Sequence, residues 1–139
     1  MTEVVVTSEA GVAQDIVSGR HRWHADEPAP HGTDTGPSPY ELLLASLGSC
    51  TSMTLRLYAQ RKGWDLQHVT VRLQHSRIHA EDCLECETKQ GYLDRIDRKI
   101  EVTGNLDETQ KRRLLEIAEH CPIHRTLESE INIRTSLVI

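Results

Sequence analysis

"PSPYELLLASLGSC", residues 37–50, decides how this chain folds, because a helix start, an apolar stripe and a cysteine fall together within it. Ser38 reads as the N-cap, Pro39 as the first helical residue and Glu41, three after the cap, as the capping-box partner. The helix is expected to run to about Lys62, with Gly63 ending it. Leu43, Leu47, Cys50, Thr54, Leu57 and Tyr58 recur at helical spacing, which puts Cys50 on the buried stripe near the helix middle. Ala45, Ser46, Gly48 and Ser49 are all small, so another backbone is expected to approach there, a second copy of the helix being the natural candidate. Gly48 inside a helix costs about 1 kcal/mol relative to Ala, which calls for a packing reason. A buried thiol is ordinarily inert packing. A redox role needs a second thiol.

Outward from the helix, the chain reads as one α+β domain over residues 1–139. Upstream, "EVVVTS", "VAQDIVSG" and "RHRWHAD" alternate and are separated by Gly11 and Gly19, the pattern of three antiparallel strands. "EPAPHGTDTGPSP", from Glu27 to Pro39, is a long loop, and loops of that length in compact domains are often functional. Downstream, "HVTVRLQHSRI" and "YLDRIDRKIEVTG" read as two long strands joined by "HAEDCLECETKQG". Val69, Val71 and Leu73 face inward on the first, and Ile96, Ile100 and Val102 on the second. A second helix begins near Asp107 with Gln110 completing its cap, and Leu114, Ile117, Ala118 and Cys121 form its apolar stripe. Pro122 stops that helix, leaving Cys121 at its end or just past it. "PIHRTLE" is a further short helical turn, and "INIRTSLVI" is expected to close the chain as a strand.

The totals exclude several classes of partner. A formal net charge of -5 and the lack of a dense Lys/Arg run argue against nucleic acid. No apolar run is long enough for a membrane span or a signal core, so a cytoplasmic protein is expected. In that compartment the cysteines at 50, 83, 86 and 121 are more naturally catalytic or metal-binding than a static disulfide framework. With no Phe and few aromatics, the core is expected to complete itself at a subunit interface.

Cys50 and Cys121 lie far apart in the chain, and spacing alone leaves open whether they meet. "GPSPYELLLASLGSCTSMTLRLYAQRKGW", with "CPIHRTL" near the C-terminus and the strand-rich start, resembles the osmotically inducible protein C and organic hydroperoxide resistance (OsmC/Ohr) family over nearly the whole chain. "HAEDCLECE" is similar to the branch of OsmC-like proteins also found fused to hydrolase domains. The resemblance implies an OsmC-like α+β fold, with antiparallel strands, a long central helix and an intertwined homodimer whose active sites lie at the interface. It further implies a thiol peroxidase acting on organic hydroperoxides, with Cys50 peroxidatic, Cys121 resolving, a dithiol reductant and no cofactor needed for catalysis. Leu43, Leu47 and Leu57 would line the substrate's path.

A buried thiol is raised in pKa, so a compensating cation is needed. Arg20 matches the family's activating arginine, with Arg22 of the same "GRHRW" as the alternative, since the two face opposite ways if that segment is extended. Glu41 stands one residue from the family's arginine-holding carboxylate, which aligns on Tyr40; a one-residue shift on a helix turns a side chain by about 100 degrees. Its capping-box role is the alternative.

The second cysteine pair reads differently. Glu81, Asp82, Glu85 and Glu87 surround Cys83 and Cys86, which disfavours thiolates and argues against thioredoxin-like chemistry. His79, Cys83 and Cys86 form a chemically sensible zinc set, with His75, Glu87 or a partner-chain residue as the fourth ligand. An exposed acidic hairpin with two reduced thiols is the alternative. His124, three after Cys121, opens a different function class, a cysteine hydrolase in which it activates Cys50. A non-catalytic dimeric binding module, with or without zinc, is the third class. His21, His24, His31 and His68 read as solvated.

Overall fold

The structure is a computed structural model describing residues 2–138. It groups into two compact units that divide between Ala45 and Ser46.

The first unit opens with the alternating segments. Strands β1 (Val5–Thr7), β2 (Gln14–Ser18) and β3 (His21–Ala25) form an antiparallel sheet in the order β1-β2-β3. Ile16 and Ala25 are its buried side chains. The long loop that follows is organised by one carboxylate. Asp26, only 2% exposed, accepts from the Glu27 N–H at 2.8 Å, from the Thr35 N–H and hydroxyl at 3.1 and 2.8 Å, and from the Thr33 hydroxyl and N–H at 2.9 and 3.2 Å. These donors, the Glu27 and Thr35 N–H groups foremost, hold its pKa well below the usual carboxylate range. A lowered folded-state pKa means that the stabilisation is present above the unfolded value of about 3.9 and is lost as pH falls through the lower folded value. Asp26→Asn should therefore melt at a lower temperature than wild type at neutral pH, with the gap closing in strong acid. Equal melting temperatures at neutral pH would remove Asp26 from this role.

Helix α1 (Pro39–Lys62) starts as its sequence signals require: the Glu41 N–H donates to Ser38 Oγ at 3.3 Å and the Ser38 N–H donates to Glu41 Oε1 at 3.1 Å. It ends at Gly63, whose φ of 70° lets the Trp64 N–H reach back to the Ala59 carbonyl at 2.9 Å.

The buried face of α1 is turned from the expected stripe. Leu47, Gly48, Thr51, Leu55, Tyr58 and Ala59 are buried, whereas Leu57 is 66% exposed and Leu43 is 36% exposed. Cys50 is half-buried at the edge of this face. Of the small residues Gly48 turns inward while Ala45, Ser46 and Ser49 stay exposed, and the side chain close to Gly48 belongs to a strand of the same unit. A Cβ on Gly48 would lie 2.8 Å from Leu73 Cδ1.

That strand is β4 (Asp65–His79), paired antiparallel with β5 (Tyr92–Asn105). A bulge between Leu66 and His68 is held by Arg56, which donates to the Leu66 and Gln67 carbonyls at 3.0 and 2.6 Å. Val69, Val71 and Leu73 alternate half-buried on β4, and Ile96, Arg98, Ile100 and Val102 on β5. Near the end of β5, Gly104 has φ 135°, and a Cβ there would overlap the Asp65 carbonyl oxygen, so only glycine fits.

Helix α2 (Glu108–Ala118) carries a complete capping box between Asp107 and Gln110. Helix α3 (Pro122–Leu127) follows, with Cys121 as its N-cap and Pro122 in its first turn. Leu55 and Tyr58 of α1 and Leu114 and Ala118 of α2 make the core of this unit, surrounded by Trp64, Leu66, Val69, Ile100, Val102, Leu106 and Ile117. The expected closing strand does not form: residues 130–138 pair with no strand, and Ile133 and Leu137 are 82% and 84% exposed. A strand needs a bonded neighbour, and this chain offers the segment none among the described residues. No helix among the described residues is long and apolar enough to cross a membrane.

Candidate functional site

In the second unit α1, β5 and the α2–α3 junction bring the two separate cysteines together. Cys121 is fully buried and Cys50 is partly exposed, and the two thiols stand close enough for each to shift the pKa of the other. Burial, the hydrogen bond with Cys121 and repulsion from its charge push the Cys50 thiol up; the Ile123 N–H and the Thr54 hydroxyl pull the other way without reversing it. Burial also pushes Cys121 up. Its hydrogen bonds with Cys50, with the His124 and Ile123 N–H groups and with the Thr51 hydroxyl outweigh burial and take it below the ordinary thiol value.

Behind the pair stands a cation that sequence reasoning passed over. Arg98, on the inward face of β5, donates from Nη1 to Thr51 Oγ1 at 3.0 Å and from Nη2 to His124 Nδ1 at 2.9 Å. Arginine has only donors, so Nδ1 must accept, and the ring carries its proton on Nε2, which it donates to Glu128 Oε1 at 2.8 Å. Glu119 completes the cluster, 3.8 Å from Arg98 and 3.4 Å from His124. The signal was in the pattern: residue 98 falls between Ile96 and Ile100 at the strand period of two, an inward position no arginine occupies without partners. Leu47, Ile96 and Leu127 join Arg98, His124, Glu119, Glu128 and Asp94 around a cavity of about 380 Å³.

The other expected site residues are placed as follows. Arg20 lies in the two-residue turn between β2 and β3, not at the head of β3, and Arg22 is an exposed residue of β3. Both belong to the first unit, as does Glu41, whose carboxylate accepts from the Ser38 N–H. Of the residues expected to hold zinc, Cys83 and Cys86 are joined in a disulfide and the His79 ring packs on Tyr92 with centroids 4.5 Å apart. No group of three His, Cys, Asp or Glu among the described residues is arranged to hold a metal ion. The acidic neighbours expected to disfavour thiolates are present around the disulfide, where Asp82, Glu85 and Asp97 line a cavity with Cys83 and Cys86.

Residues 32–136 match the family model described as OsmC-like protein. No curated protein matches the chain. Among solved structures, an OsmC-like protein from Mycoplasma pneumoniae is 21% identical with a TM-score of 0.75, over 100% of this chain and 98% of that one. An organic hydroperoxide resistance protein OsmC from Legionella pneumophila is 17% identical with a TM-score of 0.66, over 92% and 89% of the two chains. The organic hydroperoxide resistance protein OhrB of Bacillus subtilis is 20% identical with a TM-score of 0.62, over 92% and 90%. At these identities the likeness is one of fold.

Proposed function

Because this chain belongs to the OsmC-like protein family, we propose that it reduces organic hydroperoxides, with Cys50 as the attacking sulfur and Cys121 as the resolving one. The observation that carries the reading is the pair of neighbouring free thiols, one partly exposed and the other buried. A substrate arriving from solvent meets Cys50 first. The names of the Legionella and Bacillus neighbours supply the substrate class.

The Cys50 sulfur attacks the terminal peroxide oxygen, the O–O bond breaks, and the alcohol leaves with the Cys50 proton, giving a sulfenic acid. Cys121 thiolate then attacks the Cys50 sulfur and expels hydroxide, which takes a proton to become water. Sulfur has lost two electrons and the peroxide has gained them. A cellular dithiol returns the disulfide to two thiols by exchange. Leu47, Ile96 and Leu127 contribute apolar surface to a cavity otherwise lined by Asp94, Arg98, Glu119, His124 and Glu128. Arg20, by the family resemblance, would serve Cys50 as an activating cation.

The hydrolase reading loses its base. Both ring nitrogens of His124 are engaged, by Arg98 and by Glu128, and only its backbone N–H faces a thiol. Titration with cumene hydroperoxide followed by disulfide mapping tests the peroxidase directly, and a bond between Cys50 and Cys121 is the expected product.

A homodimer is part of the proposal, supported by apolar side chains that the single chain leaves exposed at Ile131, Ile133, Leu137 and Val138. Native mass spectrometry of protein prepared without chelators reads three features at once. The expected mass is that of a dimer, lacking two hydrogens per chain for the Cys83–Cys86 disulfide and carrying no zinc. A monomer removes the interface, and about one zinc per chain with full thiol hydrogens restores the metal reading of that loop.

A further inference from the structure

We propose that Arg98 is a positioning residue for disulfide closure, its one guanidinium tying the turn of α1 that carries Cys50 to the start of α3 that follows Cys121. The tie itself is geometric, and its place in the reaction rests on the peroxidase reading.

Each bond in the tie is fixed by what its atoms can donate. The Thr51 hydroxyl spends its proton on the Leu47 carbonyl at 2.7 Å, which leaves its oxygen to accept from Arg98 Nη1 at 3.0 Å. Thr51 is fully buried and next to Cys50 in the chain, so holding its side chain holds that turn of α1. From Nη2 the same guanidinium donates to His124 Nδ1 at 2.9 Å, and the far side of the ring meets Glu128 at 2.8 Å. His124 lies in the first turn of α3, where the Cys121 carbonyl accepts the Arg125 N–H at 3.1 Å. The Arg98 side chain is itself mostly buried, with Glu119 3.8 Å away.

Helix α3 needs such a tie. None of its six residues is buried, and the segment after it, 130–138, is exposed and pairs with no strand. Apolar packing fixes α1 against α2 through Leu55, Tyr58, Leu114 and Ala118, and Arg113 adds a bond from α2 to the Tyr58 hydroxyl at 3.1 Å. These contacts end before Cys121, which stands at the junction between the well-packed helix and the poorly packed one. A planar fork that meets two acceptors in fixed directions is what arginine offers and lysine does not.

Closure is the step that needs the two cysteines in register. The Cys121 sulfur attacks the sulfur of the Cys50 sulfenic acid, the S–S bond forms, the S–O bond breaks, and the oxygen leaves as water with the thiol proton. The bond forms only when the two Cα atoms are within about 7 Å and their Cβ atoms face each other. Time spent outside that arrangement leaves the sulfenic acid open to a second peroxide, which carries it to the sulfinic acid. Arg98 therefore sets the partition between a reversible product and an irreversible one.

Two measurements test this. Oxidised dithiothreitol titrates the pair without peroxide, taking two hydrogens from Cys50 and Cys121 to become dithiothreitol, and mapping of alkylated protein gives the fraction of 50–121 disulfide. Arg98→Met should need about a tenfold higher ratio of oxidised to reduced dithiothreitol to reach half, the effect of one hydrogen bond to a charged group. Thr51→Val should do the same, and Thr51→Ser, which keeps the hydroxyl, should behave as wild type. Arg98→Lys should resemble Arg98→Met, since it keeps the charge and loses the fork. Leu114→Ala, which loosens the core without touching the tie, should leave the ratio at the wild-type value, so that general destabilisation does not mimic the effect. The second measurement adds excess cumene hydroperoxide and reads disulfide against Cys50 sulfinic acid, a partition that should move about tenfold toward the sulfinic acid in Arg98→Met and Thr51→Val. Wild-type values for Thr51→Val in both measurements, or full rescue by Arg98→Lys, would overturn the inference and leave the peroxidase standing. If wild type consumes no hydroperoxide while the dithiothreitol ratios shift as expected, the peroxidase reading falls and the tie remains.

Discussion

Cys50→Ser should abolish hydroperoxide consumption, lowering turnover about a thousandfold or more, because the nucleophile is the one group whose role no neighbour can take over. Cys121 is the only other free thiol among the described residues, and it is wholly buried. It has no path to a substrate in solvent. Cys121→Ser should differ in kind. The first oxidation still delivers a Cys50 sulfenic acid, but no thiol stands beside it to close a disulfide, so excess peroxide carries Cys50 on to the sulfinic acid. Mass spectrometry separates the two variants: no oxygen added to residue 50 in the first, and one or two oxygens in the second with no intramolecular bond to residue 121. Wild type should show the 50–121 disulfide and faster oxidation by cumene hydroperoxide than by hydrogen peroxide. Wild-type peroxide consumption by Cys50→Ser would end the assignment of roles.

Much of the fold was legible because several local signals agreed. Ser38, Pro39, Glu41 and Gly63 bounded α1 on backbone chemistry alone, and Asp107 and Gln110 did the same for the start of α2. The alternating segments located β1 to β5, since period-two burial is written directly into residue type. What failed depended on tertiary partners. The apolar count on α1 favoured a face containing Leu43 and Leu57, yet the buried face runs through Gly48, Thr51 and Leu55, with the Leu73 side chain of β4 packed over Gly48. The tail "INIRTSLVI" has the composition of a strand and no neighbour within the chain to make it one.

The site was half legible for a related reason. Cys50 and Cys121 were identified through motif resemblance, while their meeting depends on how α1 and the α2–α3 junction pack, which no local pattern encodes. The family resemblance points to an arginine near the N-terminus and carries no signal for Arg98. A charged residue on the inward phase of an otherwise apolar strand is the more general signal, since burial without partners would be prohibitive. His124 illustrates the converse. Three residues after a cysteine it invites a role as base, but its ring is spent on holding Arg98 and Glu128, and what it gives the thiols is its backbone N–H.

The core between α1, α2 and the β4–β5 sheet sets the second large effect. Leu55 is fully buried and Leu114 is 2% exposed, and they belong to the same cluster with Tyr58 and Ala118. No Phe is available to fill a gap between them. Truncating either to Ala removes three carbons from a close-packed site and leaves a cavity, which costs about 3 kcal/mol. For a domain whose total stability is about 10 kcal/mol, that is a large fraction. Urea titration should show the midpoint falling in Leu55→Ala and in Leu114→Ala while the slope stays at the wild-type value, since the surface exposed on unfolding is nearly unchanged. The double variant should lose less than the sum, because the two truncations open one shared cavity. Leu57→Ala is the control that decides which face of α1 is buried. Two residues on from Leu55 and 66% exposed, it should change the stability of the folded chain by about 0.5 kcal/mol or less. A loss at Leu57 that matches or exceeds the loss at Leu55 would put the buried stripe back where the apolar spacing alone places it. Gly48 and Thr51 would then face elsewhere, and the Thr51 hydroxyl could not meet Arg98 as described.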